Sequence, residues 1–250
     1  IGIGNYIKFE IYNVELNKNN TTDNPTTSTG MRISSEDTYA AGGMGLAVGG
    51  DISNVNINDI SSVNAKNYAA GFIGRAGAGG LADVQGINLL GLGIIKISNV
   101  LSLAQGIDLN IDSSNVNGNT LGYTVESTGY QGDITHTESI LAAGFIAEAA
   151  AIEVKDSHVK NLKSVTLPIS EGESVTNKDE DKDKSDSFGG GFVGRVNTEG
   201  LVGLAKEEVD NKLQLPKVLE LKSVLGLIPY LIPKIEKSTA TFYKKEKTKE

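Results

Sequence analysis

The sequence predicts a mainly β fold: a parallel β-solenoid (β-helix) built from two tandem repeat units, each with a short amphipathic helix or apolar insert. Three observations predict it. A glycine-centred phrase recurs four times, segments between its copies alternate apolar with polar residues, and glycine is abundant where aromatics are scarce. Glycine supplies 30 of 250 residues and aromatics 6%, against a usual glycine share of roughly 7%. A thick aromatic core is therefore not expected, although the length suffices for one or two domains with a real core.

The recurring phrase reads Ala69-Ala70-Gly71-Phe72-Ile73-Gly74-Arg75, then Ala142-Ala143-Gly144-Phe145-Ile146, then Gly189-Gly190-Gly191-Phe192-Val193-Gly194-Arg195. A looser copy, Ala40-Ala41-Gly42-Gly43-Met44-Gly45, carries Met44 where the others carry phenylalanine. The central glycines fall at 42, 71, 144 and 191, with intervals of 29, 73 and 47. Irregular as they look, these intervals hide a larger unit. The first copy lies 102 positions before the third, and the second lies 120 before the fourth. The excess of 18 is about the length of the polar stretch 170–187. The 102 offset continues upstream, placing Asn13-Val14 on Asn115-Val116, Phe9 on Ile111 and Gly30 on Gly132. A register of 124 places 94–114 on 218–238. The chain, 1–250, therefore reads as one repeat array. Its units span 7–108 and 109–234, and 235–250 begins a third unit or a linker. Opening and closing at the same point of the repeat suggests a slice of a longer repeat-containing chain.

Within a unit, 7–16, 51–57 and 107–116 alternate apolar with polar residues, the period-2 signature of half-buried strands. Asparagine and glycine punctuate them and supply corners with positive φ. The Gly-Phe-Ile-Gly phrase reads as a bend that glycine permits, its phenylalanine pointing into the stack. Coils stacked at ~4.8 Å have a narrow interior that suits small inward residues.

The longer coil differs. Ile94, Ile97, Val100, Leu101 and Ala104 fall on one helical face, as do Val218, Leu221, Val224, Leu225 and Ile228. Gly226 and Pro229 stand where the second helix would end. A buried strand pair also fits, since 95–97 carries β-branched residues. In either form the apolar stripe would cover one face of the solenoid. The stretches 17–30 and 170–187 are too polar to pack and read as projecting loops. The charged 244–250 reads as frayed or a linker.

Composition removes several functions. There is no cysteine, hence no disulfide, thiolate nucleophile or thiolate metal site. The two histidines, His136 and His158, lack metal-hydrolase spacing. A net charge of −8, with 20 lysines and 3 arginines, argues against nucleic acid as a partner. No apolar run reaches the ~18 residues of a membrane span, so no membrane insertion is expected.

The candidate chemistry is sparse. Asp179, Asp181 and Asp183 resemble the start of an EF-hand loop, but Lys184 stands where glycine is needed and Gly190 where glutamate is needed. A solvated loop is the expectation. Arg75 and Arg195 share one repeat position, at which the third copy carries Glu148. Either they bind an anionic ligand, or each clamps carbonyls or an acid on a neighbouring coil, the expected reading. Glu36 and Glu138 repeat across the 102 offset, unlike an asymmetric catalytic pair. Gly77–Gly80 lacks a phosphate-loop ending. No catalytic, cofactor-binding or metal residue is assigned, and no cofactor.

The phrases AAGFIGRAGAGGLADV and GGGFVGRVNTEGLVGL, with ISNV-type strands nearby, resemble GLUG-type repeats of large bacterial cell-surface, adhesin-like proteins. The resemblance spans the four phrases and their following strands, about half the chain. It implies a secreted or cell-wall-attached extracellular protein, from a Gram-positive bacterium, in which stacked coils form an adhesin stalk or binding region. Host or matrix glycan or protein would be the partner. Peptidase activity, which some relatives carry in other domains, does not transfer to a segment without a metal motif. The expected function is thus non-enzymatic. The alternative is a polysaccharide-processing β-helix enzyme, since that architecture hosts such chemistry. Ice or crystalline-surface binding would need ranks of threonine, and the threonines here cluster in loops.

Overall fold

A computed structural model describes residues 3–4, 9–17, 30–47, 49–77, 109–129, 139–150, 152–168, 187–196 and 233–244. Among these the protein is mainly β, without helix. The predicted segments 94–104 and 218–228, most of the loops 17–30 and 170–187, and 245–250 lie outside the described residues.

The chain passes first through β1 (Ile3–Gly4), β2 (Glu10–Leu16), β3 (Met31–Ser34) and β4 (Tyr39–Ala41). A second passage holds β5 (Met44–Ala47), β6 (Gly50–Ala65) and β7 (Tyr68–Ala70). The third holds β8 (Ile73–Gly77), β9 (Leu109–Asp112), β10 (Asn115–Gly118), β11 (Tyr123–Ser127) and β12 (Ile140–Ala143). The fourth holds β13 (Ile146–Ala150), β14 (Ile152–Lys155), β15 (His158–Thr166) and β16 (Ser187–Gly190). The last holds β17 (Val193–Val196), β18 (Lys234–Glu236) and β19 (Thr239–Phe242).

Each passage lays its strands beside those of the one before. One sheet runs β1-β5-β8-β13-β17 and another β4-β7-β12-β16. In the largest sheet β6 lies between β2 and β3 on one edge and β9, β10 and β11 on the other, with β14 and β15 and then β18 and β19 beyond. Every pairing is parallel. Parallel sheets in this order are compatible with a β-helix.

The register turns sequence positions into columns. Ile11, Ile52, Ile111, Val154 and Ile235 form one apolar column across the largest sheet. The middle three members are buried, Ile235 is exposed, and Ile11 is half-buried. Ile111 and Ile235 fall in one column, as the 124 register predicts. The 102 register needs correction upstream. Residue 11, not Phe9, shares the column of Ile111, because β-strand pairing is set locally and the connections of the two passages differ in length. Around the repeated phrase 102 holds: Ala40, Ala69 and Ala142 align, as do Met44, Ile73 and Ile146.

That alignment corrects a second expectation. Met44 faces Ile73, so Gly43 occupies the phenylalanine column. Phe72, Phe145 and Phe192 stack there, with ring centroids 4.7 Å apart at each step. Phe72 and Phe145 are buried, as the inward-pointing reading expects.

The repeated glycines do not serve by positive φ, as their sequence context suggests. None of Gly42, Gly71, Gly144 and Gly191 has that conformation. A Cβ at Gly42 would overlap the carbonyl oxygen of Gly71, one at Gly71 that of Gly144, and one at Gly144 that of Gly191. Glycine is required there because the next passage's backbone already fills the space. Positive φ occurs instead at Asn13, Asn54, Ser113, Asp156 and Lys237, with values of 46–54°. These five line up at the bend between paired segments of the largest sheet. Immediately after each of the last three, a serine bridges passages. The Val55 N–H donates to Ser114 Oγ, the Ser114 N–H to Ser157 Oγ and the Ser157 N–H to Ser238 Oγ, each at 3.2 Å. The bend breaks the strand ladder, and the hydroxyls restore partners to amides that would otherwise be orphaned.

Candidate functional site

Charged side chains are almost never fully buried unless paired, so a charged column inside the five-stranded sheet is the first place to look for function. Strands β8, β13 and β17 place Arg75, Glu148 and Arg195 in register. Arg75 Nε lies 2.7 Å from Glu148 Oε2, and Arg195 Nη2 donates to Glu148 Oε1 at 2.5 Å. Glu148 is wholly buried and Arg75 nearly so, while the Arg195 side chain keeps 22% of its exposure. Arg195 Nη1 also donates to Ser139 Oγ at 2.8 Å.

Aromatic faces complete the surroundings. The Arg75 guanidinium sits 5.7 Å from the centre of the Tyr68 ring, and that of Arg195 5.7 Å from the Phe188 ring. Tyr39 stacks on Tyr68 with centroids 4.9 Å apart. Burial pushes the Tyr68 hydroxyl well above the usual phenol range; Glu148 adds to the rise and Arg75 opposes it. The column is thus a clamp between neighbouring strands, the alternative expected from the sequence. Its carboxylate is wholly buried and held by two cations.

A cleft of about 600 Å³ opens beside β4. Its lining includes Ser34, Ser35, Asp37, Thr38, Tyr39 and Gly43. Gly43, which contributes no ring to the phenylalanine column, is among them. One carboxylate, Asp37, lines the cleft. The sequence pattern does not single it out.

The outward face of the largest sheet is an array of amides. Asn54 Nδ2 donates to Asn13 Oδ1 at 2.8 Å, Asn115 Nδ2 to Asn56 Oδ1 at 2.8 Å, and Asn117 Nδ2 to Asn58 Oδ1 at 2.6 Å. Asn58 donates further to Asn17 Oδ1 at 2.9 Å, and Asn110 to Asp51 at 2.8 Å. Such ladders stabilise adjacent strands and leave the face polar. The alternating Asn54, Asn56 and Asn58 carry this signal in the sequence.

No protein-family model matches the chain, and neither a curated protein nor a solved structure is significantly similar to it. The residues alone carry the functional argument.

The remaining candidates separate. His158 pairs through Nδ1 with Thr239 Oγ1 at 2.9 Å; His136, Glu138, Asp179, Asp181 and Asp183 lie outside the described residues. Glu36 is exposed. Among the described residues no group of three metal-ligating side chains forms, and no helix is long and apolar enough to cross a membrane.

Proposed function

We propose that this chain is a β-solenoid segment of a bacterial surface protein, acting outside the cell as an adhesin stalk or binding region without catalysis. The observation that carries the reading is strand order. Each sheet takes its strands from successive passages in order, which supports an array that extends in one dimension. A stack tied by parallel ladders, a phenylalanine column and amide ladders suits a stiff spacer. The resemblance of the repeated phrases to GLUG-type repeats supports the extracellular assignment, and the absence of cysteine accords with a Gram-positive surface. Glycan or matrix protein is the proposed partner.

The test is a glycan and matrix-protein binding array, run beside an assay for reducing-end release from cell-wall and soluble polysaccharides. Binding without release supports an adhesive region, and neither activity supports a passive spacer. Release of reducing ends abolished by Asp37→Asn overturns the non-enzymatic reading in favour of the polysaccharide-processing alternative.

A further inference from the structure

The sequence holds one Asn-Gly step, Asn117-Gly118, and the fold places it beside a second bend of the largest sheet. β10 pairs with β6 at Val116↔Ile57 and again at Gly118↔Ile60, so two residues, Asn58 and Asp59, stand opposite Asn117 alone. On its other edge β10 pairs with β15 only as far as Asn117↔Lys160. Asp59 and Asn161, the next residues in the two neighbours, both have a φ of 59°. The ladder to β6 therefore skips, and the ladder to β15 ends, at the Asn117-Gly118 peptide. Side chains hold the step instead. Asn117 Nδ2 donates to Asn58 Oδ1 at 2.6 Å, and Asn161 Nδ2 reaches the Gly118 carbonyl at 3.5 Å. Glycine is required at 118, because a Cβ there would lie 2.6 Å from Tyr123 Cδ1 and 2.7 Å from the Asn161 carbonyl oxygen. The amide ladder fixes one residue of the pair and the crowded backbone fixes the other.

We propose that Asn117 is a site of spontaneous, irreversible deamidation, held in check by the stack and released when these passages part. The Gly118 backbone nitrogen attacks Asn117 Cγ and loses its proton, the side-chain nitrogen leaves as ammonia, and a cyclic succinimide remains. Water then opens either carbonyl of the ring, leaving aspartate, or isoaspartate in which the main chain runs through the former side chain. No Cβ on the following residue hinders the attack. The attack needs the two atoms close to contact, whereas an extended strand directs the Asn117 side chain out of the sheet. There Asn58 Oδ1 holds the nitrogen that must depart. Local opening of the ladder supplies the missing freedom. Either product alters the stack. Aspartate loses the donor to Asn58 and sets a carboxylate oxygen against Asn58 Oδ1. Isoaspartate adds an atom to the β10 backbone and shifts Gly118 out of its pairing with Ile60. A chain that has opened here carries the mark afterwards. This chemistry is independent of the adhesive or spacer reading, which survives its absence.

The test incubates the whole chain, folded and in urea, and follows residue 117 by peptide mass spectrometry, with ammonia release as a second readout. The folded chain should convert at least about tenfold more slowly than the unfolded one, since only the open fraction reacts. Asn58→Ala removes the acceptor of the Asn117 amide. It should raise the folded-state rate about threefold to tenfold, the worth of one hydrogen bond, without changing the rate in urea. Asn13→Gly removes the acceptor of a different ladder bond, that of Asn54, and suits the positive φ at that position. It should leave the rate at 117 unchanged. Circular dichroism establishes that each variant is folded. Converted chain, separated by charge and refolded, should unfold at a lower urea concentration than unconverted chain. Equal rates in the folded and unfolded chain, no conversion in urea, an Asn58→Ala rate no higher than the native one, an equal rise in Asn13→Gly, or equal stability of converted and unconverted chain overturns the proposal.

Discussion

Glu148 holds two arginines at once, Arg75 on Oε2 and Arg195 on Oε1, from the strands on either side of its own. The pairings tie three consecutive passages together through one buried carboxylate. Glu148→Gln therefore takes the shared negative charge away from two part-buried or buried cations and should destabilise the fold by about 3–5 kcal/mol. Replacing Arg75, Glu148 and Arg195 together by leucine should recover most of that loss, since the two cations and the carboxylate are then removed together. Urea unfolding of the two variants measures both. A triple variant less stable than Glu148→Gln would contradict this account.

The phenylalanine column should show a gradient. Phe72 and Phe145 are 2% and 0% exposed, while Phe192 is only half-buried at the end of the column. Phe72→Ala and Phe145→Ala should each cost about 3–5 kcal/mol. Phe192→Ala should cost distinctly less, having less burial to lose. Chemical denaturation ranks the three, and equal losses would refute the gradient.

Two backbone substitutions should act in opposite directions. Gly71→Ala drives a methyl group into the Gly144 carbonyl and against Val116, an overpacking worth about 1–3 kcal/mol or more. Lys237→Gly relieves a φ of 49° at a non-glycine residue, and should stabilise by up to about 1 kcal/mol. Thermal unfolding reads the sign of each.

Alkaline pH should weaken the fold through two tyrosines. Tyr123 is fully buried, its hydroxyl donating to the Gly144 carbonyl at 2.8 Å, and burial pushes its ionisation far up. Tyr68 is shifted the same way, by burial first. Both phenols stay neutral in the fold but ionise in the unfolded chain near the ordinary value of 10.0. Their contribution is complete below that pH and is lost as pH rises above it. Phenolate absorbance should show these two tyrosines ionising only together with unfolding. Tyr123→Phe should flatten the alkaline limb of the stability profile. An unchanged alkaline limb in this variant would count against the assignment.

The parts of this fold that could be read from sequence are those repeated in sequence. The phrase around Phe72, Phe145 and Phe192 announced stacked passages, and Glu148 at the arginine position announced a clamp. Period-2 alternation placed β2, part of β6, β9 and β10 in the largest sheet. What escaped were relations across strands. Gly43 entered the phenylalanine column because pairing aligns Met44 with Ile73, a register that single-chain pattern matching does not weigh. The need for glycine at 42, 71 and 144 arises from carbonyls on the adjacent passage, invisible to any reading of local φ. Ser114, Ser157 and Ser238 looked like ordinary polar residues, yet they complete the amide pairing at a bend. The cleft beside β4 escaped because its lining comes together only in three dimensions.

The coincidence of chain order with stacking order bears on how the molecule is made. In the largest sheet, no passage needs a residue still to come in order to find its template. Each newly emerged passage meets a finished edge with its hydrogen-bonding groups, its apolar rows and its polar rows already set out. Assembly can then proceed like growth on a crystal step, one layer added at a time from the amino-terminal side. A chain interrupted partway would keep the layers already laid down.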